Sequence, residues 1–194
     1  MTTKGLLERG ELKQYRKVNL EEAYESISTR HQDYAAKPIV FISHKHDELE
    51  DLKDVIGFLE KNYNVKCYID SEDGAMPIFT SAETAIKIKD RIQQCDKFIL
   101  LATNGAINSK WCNWELGYGD AHKFKDNIAI FPFSDKEIEF KGKEYLEIYP
   151  YIVRRKLGDV YSDNSPVTPG YYVRSYTEKD GWIITELGKW LNRK

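Results

Sequence analysis

Short apolar runs alternate with longer amphipathic segments along the first two thirds of the chain. Four of these runs are rich in β-branched and aromatic residues and are bounded by polar residues, as is typical of strands buried on both faces of a parallel sheet. The first predicted strand should end at Ser43, and Pro132 is expected to end the fourth. The four strands cover residues 39–42, 65–69, 98–102 and 128–133.

The segments between these strands have the periodicity of amphipathic helices. The spacing predicts helices over residues 47–61, 81–95 and 109–123. Ser81 or Thr80 can cap the second helix, and Ser109 can cap the third. The residues expected to face the core are Leu49, Leu52, Val55, Ile56 and Leu59 in the first helix and Ile86, Ile88 and Ile92 in the second.

Both ends of the chain carry further predicted elements. A capping residue, an acidic first turn and apolar positions at helical spacing predict a helix over residues 19–36, which Pro38 ends. After the fourth strand the alternation of apolar runs and amphipathic segments is less regular. A tyrosine-rich stretch follows, in which residues 171–173 form a candidate strand. A last amphipathic helix is predicted over residues 180–191. Its inward-facing residues would be Trp182, Ile183, Leu187, Trp190 and Leu191.

The alternation of buried strand and helix predicts an α/β fold with a central parallel sheet, right-handed crossovers and helices on both faces. We assign residues 1–37 to an N-terminal helical extension and residues 38–194 to one domain with an elaborated C-terminal segment. Functional sites in such folds lie at the carboxyl ends of the strands. The segments to search are therefore residues 43–47, 70–79 and 103–115.

Composition narrows the classes of function. A length of 194 residues suits one domain, and 29 basic against 31 acidic side chains leave no excess to neutralise the phosphates of nucleic acid. No apolar run approaches the roughly 18 residues of a membrane span, and the charged N-terminal region lacks a signal-peptide core, so we expect a cytoplasmic protein. The cysteines are odd in number and widely spaced, which favours reduced thiols over disulfides or a CxxC zinc site. They are Cys67, Cys95 and Cys112.

The most informative pair of residues is Trp111 and Glu115, because a spacing of four places both on one face of a helix. An aromatic ring can stack on a flat leaving group while a carboxylate opposes the positive charge that develops on the remaining part. The pair alone also fits a packed aromatic residue next to a solvated charge. Its interpretation depends on the segments that accompany it.

Three segments, in chain order, carry a resemblance to a known family. They read VFISHKHD at residues 40–47, YID at residues 68–70 and SKWCNWE at residues 109–115. Over about residues 38–134 the sequence resembles a TIR domain. The segments are similar to that family's opening strand box, to the strand box before its mobile loop, and to the helix that bears the catalytic glutamate of its NAD-cleaving members. The resemblance implies a flavodoxin-like TIR fold.

The resemblance also implies an activity. Enzymatic members of the family break the bond between nicotinamide and ribose in NAD, and Glu115 matches their catalytic glutamate. We therefore expect an NAD glycohydrolase or ADP-ribosyl cyclase, with NAD as substrate and no cofactor. The chemistry agrees, since nicotinamide is already a cationic leaving group and one carboxylate can stabilise the oxocarbenium-like ribose.

Residues that bind the substrate follow from the same resemblance. Ser43 and His44 would line the nicotinamide or ribose side, with Lys45 or His46 near the pyrophosphate. The arginines common in related enzymes at these last two positions are replaced, which weakens a bidentate contact to phosphate. The His-x-His pair lacks further Cys, Asp or Glu ligands at recognisable spacing, so no metal site is predicted.

Three more residues complete the implied site. Phe79 would close over the nicotinamide ring, Trp111 would form the opposite wall, and Asp70 would order the loop that follows it. Several of the implied residues have a structural alternative. Ser43 can cap the following helix or satisfy the end of its strand without contacting substrate, Phe79 can belong to the core, and Trp111 can be a packing residue.

The partners implied are NAD, other copies of the chain through TIR–TIR contacts, and a separate effector activated by the nucleotide product. This is the arrangement of the sensor component of Thoeris anti-phage systems, which the chain resembles. Two alternatives stay open. One is a non-catalytic TIR scaffold, with which Pro77 is compatible. The other is a domain similar to nucleoside 2-deoxyribosyltransferases, which also use a glutamate at a ribose.

Overall fold

A computed structural model describes residues 5–17, 37–70, 81–123, 125–134, 144–161 and 163–193, and these ranges contain eight strands and four α-helices. The strands are β1 (Leu7–Glu8), β2 (Ile39–Ser43), β3 (Lys66–Tyr68), β4 (Lys97–Ala102), β5 (Ile128–Ser134), β6 (Tyr151–Arg155), β7 (Gly170–Thr177) and β8 (Gly181–Glu186). The helices are α1 (Leu49–Tyr63), α2 (Ala82–Gln94), α3 (Lys110–Lys123) and α4 (Leu187–Asn192).

The described strands form one sheet in the order β3-β2-β4-β5-β6-β7-β8, with β1 paired to the end of β5. The pairings among β1 to β6 are parallel, whereas β7 and β8 run antiparallel to their neighbours. The strand–helix–strand order from β2 to β5 builds the predicted parallel sheet, because a parallel neighbour requires a crossover connection. The C-terminal strands extend this sheet as a hairpin.

Alternate residues of each central strand enter two separate cores, one on each face of the sheet. In β2, Val40 and Ile42 face the core that contains α1 and α4, while Ile39 and Phe41 face the core that contains α2 and α3. This alternation explains why the strands are uninterrupted apolar runs, since both faces are covered. The predicted α/β class with helices on both faces is confirmed.

Helix α1 buries the residues predicted to face the core, except the one at its first position. Leu52, Val55, Ile56 and Leu59 are fully buried, whereas Leu49 is 39% exposed. Helical side chains lean toward the N-terminus. At the first residue of the helix the side chain therefore projects beyond the packed face.

Helix α2 begins at a capping box, which confirms Ser81 as its cap. The Ser81 hydroxyl accepts from the Thr84 N–H at 3.3 Å, and the Thr84 hydroxyl accepts from the Ser81 N–H at 3.1 Å. The prediction that Ile88 and Ile92 face the core is confirmed. The same prediction for Ile86 is wrong, because this residue is 59% exposed. Two positions along a helix correspond to a turn of roughly 200°, so Ile86 lies on the face opposite Ile88.

Strand β5 runs to Ser134 and continues through Pro132, so the predicted end of this strand is wrong. Beyond the proline the strand acquires a partner that its own sequence does not reveal. Phe133 and Ser134 pair with Leu7 and Glu8 of β1. The N-terminal strand therefore extends the ladder where β6 no longer pairs with β5.

The predicted C-terminal helix over residues 180–191 is wrong in its first half, where β8 pairs with β7. Gly181 has a left-handed backbone with φ of 69°, and the Asp180 N–H donates to the Thr177 hydroxyl at 3.0 Å. These features build a turn between two strands. Trp182 and Ile183 are consequently exposed rather than inward-facing, and only α4 is helical. The candidate strand over residues 171–173 is confirmed as part of β7.

The N-terminal segment, residues 5–17, packs against α1 as well as the sheet. Leu7 and Leu12 are buried in the core that contains α1. The Arg16 guanidinium pairs with the Asp54 carboxylate at 2.6 Å. This segment therefore contributes both apolar and ionic contacts to the first helix.

The predicted helix over residues 19–36 and the alternative cap Thr80 lie outside the described residues. In the part of the chain that the structure does describe, every helix is too short or too polar to cross a membrane.

Candidate active site

Ser43, Asp70 and Glu115 meet at the carboxyl edge of the parallel sheet. Ser43 is the last residue of β2, Asp70 follows β3, and Glu115 lies in the second turn of α3. The Ser43 Oγ donates a hydrogen bond of 2.5 Å to Glu115 Oε2. Glu115 is only 2% exposed. Its carboxyl group is therefore enclosed by protein, which rules out the interpretation of this residue as a solvated charge.

Local contacts hold α3 against the end of β2 and the start of β4. Ser109 caps the helix, because its hydroxyl accepts from the Cys112 N–H at 3.3 Å. The Cys112 Sγ in turn donates to the carbonyl oxygen of His44 at 3.3 Å. Further along, a Cβ added to Gly119 would stand 3.2 Å from the Phe98 ring of β4. The helix thus lies close enough to the sheet for its second turn to reach the end of β2.

The surroundings of Glu115 raise the pKa of its carboxyl group well above the ordinary glutamate value. Burial has the largest effect because it penalises the charged form, and the negative charge of Asp70 adds to it. Hydrogen bonds from Ser43 and Trp111 act in the opposite direction, since they stabilise the carboxylate. A cation bound next to Glu115 would likewise favour its ionised form.

His44 lies beneath the surface at the same edge and is 4% exposed. Its Nδ1 lies 3.3 Å from the carbonyl oxygen of Ile42. Burial lowers the pKa of the imidazole, and the charge of Asp70 opposes this effect. The ring is therefore mainly neutral near pH 7. The His46 ring packs edge-on against it, with centroids 5.6 Å apart.

Trp111 stands beside the carboxyl group of Glu115 and is partly buried. Its indole stacks on Trp114, with ring centroids 4.9 Å apart and planes inclined by 27°. Trp114 stacks in turn on Tyr118 at 6.1 Å. A second indole thus supports the orientation of Trp111, as either a substrate wall or a packing residue requires.

Lys45, a further residue implied by the resemblance, pairs with an acidic neighbour in its own segment. The Lys45 side chain is exposed, and its ammonium donates to the Asp47 carboxylate at 2.7 Å. Its stem passes Gly105, where an added Cβ would stand 2.8 Å from Lys45 Cδ. Phe79 lies outside the described residues.

A second polar group at this edge did not emerge from the sequence. The Thr103 hydroxyl, at the end of β4, donates to the Glu48 carboxylate and accepts from the Ala106 N–H at 3.0 Å. Glu48 also pairs with Arg9 of the N-terminal segment at 3.0 Å. The signal that the sequence offers for this polar group is a threonine directly after a buried strand. Its partner, however, comes from a different part of the chain.

The three cysteines are buried. Burial raises the pKa of the Cys112 thiol to about 11. Near neutral pH this residue is therefore a hydrogen-bonding thiol rather than a nucleophilic thiolate.

Comparison with known proteins identifies the family of this chain. The sequence model of the TIR domain family matches residues 40–154, which include Ser43, Asp70 and Glu115. A relative from Bacillus cereus (strain MSX-D12), named probable 3′ cyclic ADP-D-ribose synthase ThsB′, is 31% identical over 156 residues. That alignment covers 70% of this chain and 80% of the relative. The protein belongs to the TIR domain family.

Proposed function

We propose that this protein cleaves the bond between nicotinamide and ribose in NAD, releasing nicotinamide together with a cyclic ADP-ribose or ADP-ribose. The observation that carries the proposal is a buried Glu115 carboxyl, held by the Ser43 hydroxyl at 2.5 Å and bordered by Trp111, in a TIR chain. The name of the relative, a probable 3′ cyclic ADP-D-ribose synthase, supports a cyclic product.

Charge drives the cleavage step. The nicotinamide ring of NAD is cationic, and its arrival next to Glu115 offsets the burial and the Asp70 charge that disfavour the carboxylate. As the bond breaks, its electron pair moves to the ring nitrogen, and nicotinamide leaves as a neutral molecule. The positive charge then resides on the ribose, where the Glu115 carboxylate opposes it.

The acceptor determines the product. A water molecule that bonds to the ribose carbon and loses a proton gives ADP-ribose. A hydroxyl group elsewhere in the same NAD, reacting in the same way, closes a ring. We favour ring closure, because the carboxyl group is almost fully enclosed and an enclosed site restricts competing water.

The remaining residues have roles that fit this reaction. The neutral His44 imidazole offers a flat face to nicotinamide without adding a second positive charge. The exposed Lys45 ammonium would meet the pyrophosphate at the entrance, as a point charge rather than a bidentate partner. Trp111 would stack on the nicotinamide ring. Phe79 would cover that ring, and the reaction as written needs no cofactor.

The biological role we propose is anti-phage signalling. The nucleotide product would activate a separate effector protein, and copies of the chain would associate through TIR–TIR contacts. A non-catalytic scaffold is the weaker alternative. A scaffold does not require a buried carboxyl group, and burial of such a group costs stability.

Mass spectrometry of the products tests the proposal. The purified protein, incubated with NAD, should release nicotinamide and an equimolar product with the mass of cyclic ADP-ribose, which is one water lighter than ADP-ribose. A product with the mass of ADP-ribose would support cleavage of NAD but refute ring closure. Absence of nicotinamide, both for the protein alone and under crowding that promotes self-association, would support the scaffold instead.

A further inference from the structure

A cluster of metal-ligand side chains lies at the same sheet edge. His44 and His46 follow β2, and Asp70 follows β3, the parallel neighbour of β2. One ligand atom from each residue lies within 4.8 Å of the other two. The sequence shows only a His-x-His pair. Asp70, brought in by strand pairing, is the third ligand that no local spacing could reveal.

We propose that His44, His46 and Asp70 form a binding site for a divalent transition-metal ion of the Zn²⁺ type. Two imidazoles and one carboxylate are a donor set that zinc accepts, whereas Ca²⁺ and Mg²⁺ prefer oxygen ligands alone. Zinc bonds of about 2.1 Å place tetrahedral ligand atoms roughly 3.4 Å apart. The ligand atoms lie within 4.8 Å of one another, and the exposed His46 side chain has room to rotate toward the other two.

The contacts of His44 suit a ligand role. Histidines that bind metal commonly donate their second ring N–H to a carbonyl or carboxylate, which fixes the ring and the tautomer. The Ile42 carbonyl oxygen, 3.3 Å from His44 Nδ1, provides this partner. Nε2 is then the nitrogen that carries the lone pair. His46 is exposed and Asp70 is partly so, which leaves the ion a route from solvent.

A bound ion would also affect the reaction, a consequence that rests on the proposed function. The ion would be coordinated by the His44 imidazole, which we assign to the nicotinamide side of the site. Its positive charge would sit against Asp70 and repel the cationic nicotinamide ring. We therefore expect Zn²⁺ and NAD to compete, so that Zn²⁺ raises the KM for NAD.

Cobalt titration tests the site without any assay of activity. Metal-free protein should bind one Co²⁺ with the visible absorption of a low-symmetry nitrogen and oxygen site, and Zn²⁺ should displace it. His46→Ala and Asp70→Asn should each weaken binding by at least about tenfold. His122→Ala, a matched control on α3, should bind as the wild type does. No Co²⁺ spectrum, unchanged affinity in His46→Ala, or a sulfur-to-cobalt band that places the ion on a cysteine would each overturn the site.

Kinetics with Zn²⁺ test the competition. The KM for NAD should rise with Zn²⁺ in the wild type and in His122→Ala, but much less in His46→Ala. Equal inhibition of all three proteins would refute competition through this cluster. If the wild type does not cleave NAD, the proposed function fails, while the cobalt titration still decides the metal site.

Discussion

The carboxyl group of Glu115 is controlled by neighbours that act in opposite directions. Burial and the charge of Asp70 raise its pKa, whereas hydrogen bonds from Ser43 and Trp111 lower it. The pKa of a carboxyl group balanced in this way responds strongly to a substrate that carries a positive charge. Perturbed titration of this kind is typical of functional carboxylates.

NAD cleavage should therefore increase as pH rises through the pKa of Glu115, because only the ionised carboxylate opposes the ribose cation. The acidic limb of kcat/KM reports the pKa in the free enzyme, and we expect it above the ordinary glutamate value of about 4.3. Ser43→Ala removes a stabilising hydrogen bond and should move this limb to higher pH. Asp70→Asn removes a negative charge and should move it to lower pH.

Profiles of kcat/KM against pH, recorded with a chelator so that bound metal does not contribute, check these shifts. Circular dichroism of each variant controls for folding. If the acidic limbs of the Ser43→Ala and Asp70→Asn profiles moved in the same direction, the two neighbours would not act on Glu115 as described.

Trp111→Ala should lower kcat/KM roughly 10–100-fold, since it removes both a stacking surface and a hydrogen bond to the carboxylate. Trp111→Phe, which keeps a ring but no N–H, should fall between this variant and the wild type. Trp182→Ala, on the exposed face of β8, is the matched control. Equal activity of the Trp111→Ala and Trp182→Ala proteins would assign Trp111 to packing alone.

At the scale of elements, local patterns predict β2 to β5 and α1 to α3 because their apolar periodicity is set by burial on the faces of one sheet. The elements that were missed depend on distant partners. The two residues of β1 form a strand only because β5 pairs with them. In β8, the run from Trp182 to Ile184 fits a helix or a strand, and the turn at Gly181 decides the outcome.

Gly57 provides a test of how α1 and the N-terminal segment meet. A Cβ at this position would stand 1.8 Å from the carbonyl oxygen of Tyr15, so Gly57→Ala must displace that segment. We expect a loss of about 1–3 kcal/mol in the free energy of unfolding, as is usual for overpacking.

The matched control is Gly117→Ala in α3, where an added Cβ meets nothing within 4 Å. This change should leave stability unchanged or raise it by up to about 1 kcal/mol, because alanine favours helix over glycine. Urea unfolding of both variants measures the difference. Equal stabilities would contradict the close approach at Gly57.

For the whole molecule, the general location of the site could be predicted, whereas its contacts could not. Ser43, Asp70 and Glu115 were placed at one edge because sites in parallel sheets lie at the carboxyl ends of strands. The hydrogen bond between Ser43 and Glu115, the distance from His44 to Asp70, and the enclosure of the carboxyl group depend on tertiary packing. The structure supplies these three features.

The N-terminal segment also reaches this edge of the molecule. Arg9 pairs with Glu48, and Glu48 accepts the hydroxyl hydrogen of Thr103 at the end of β4. The described part of the chain that precedes β2 thus contacts the same carboxyl edge as the candidate catalytic residues. Its contacts join segments far apart in sequence, which explains why no local pattern predicted them.

The rate of nicotinamide release from NAD by Glu115→Gln tests directly whether this carboxylate drives the cleavage. Thermal unfolding serves as the control for folding. Because the folded-state pKa of Glu115 is raised, its contribution to stability is fully present below the unfolded-state pKa and is lost as pH rises through the folded-state value. The glutamine variant, which does not titrate, should therefore be at least as stable as the wild type near neutral pH.

Glu83→Gln, at an exposed carboxylate of α2, is the matched substitution and should retain wild-type turnover. We expect the Glu115→Gln protein to fold and to lose at least roughly 100-fold in turnover, the loss typical of removing one preorganised electrostatic group. A folded Glu115→Gln protein that releases nicotinamide at the wild-type rate would show that this carboxylate does not drive the cleavage.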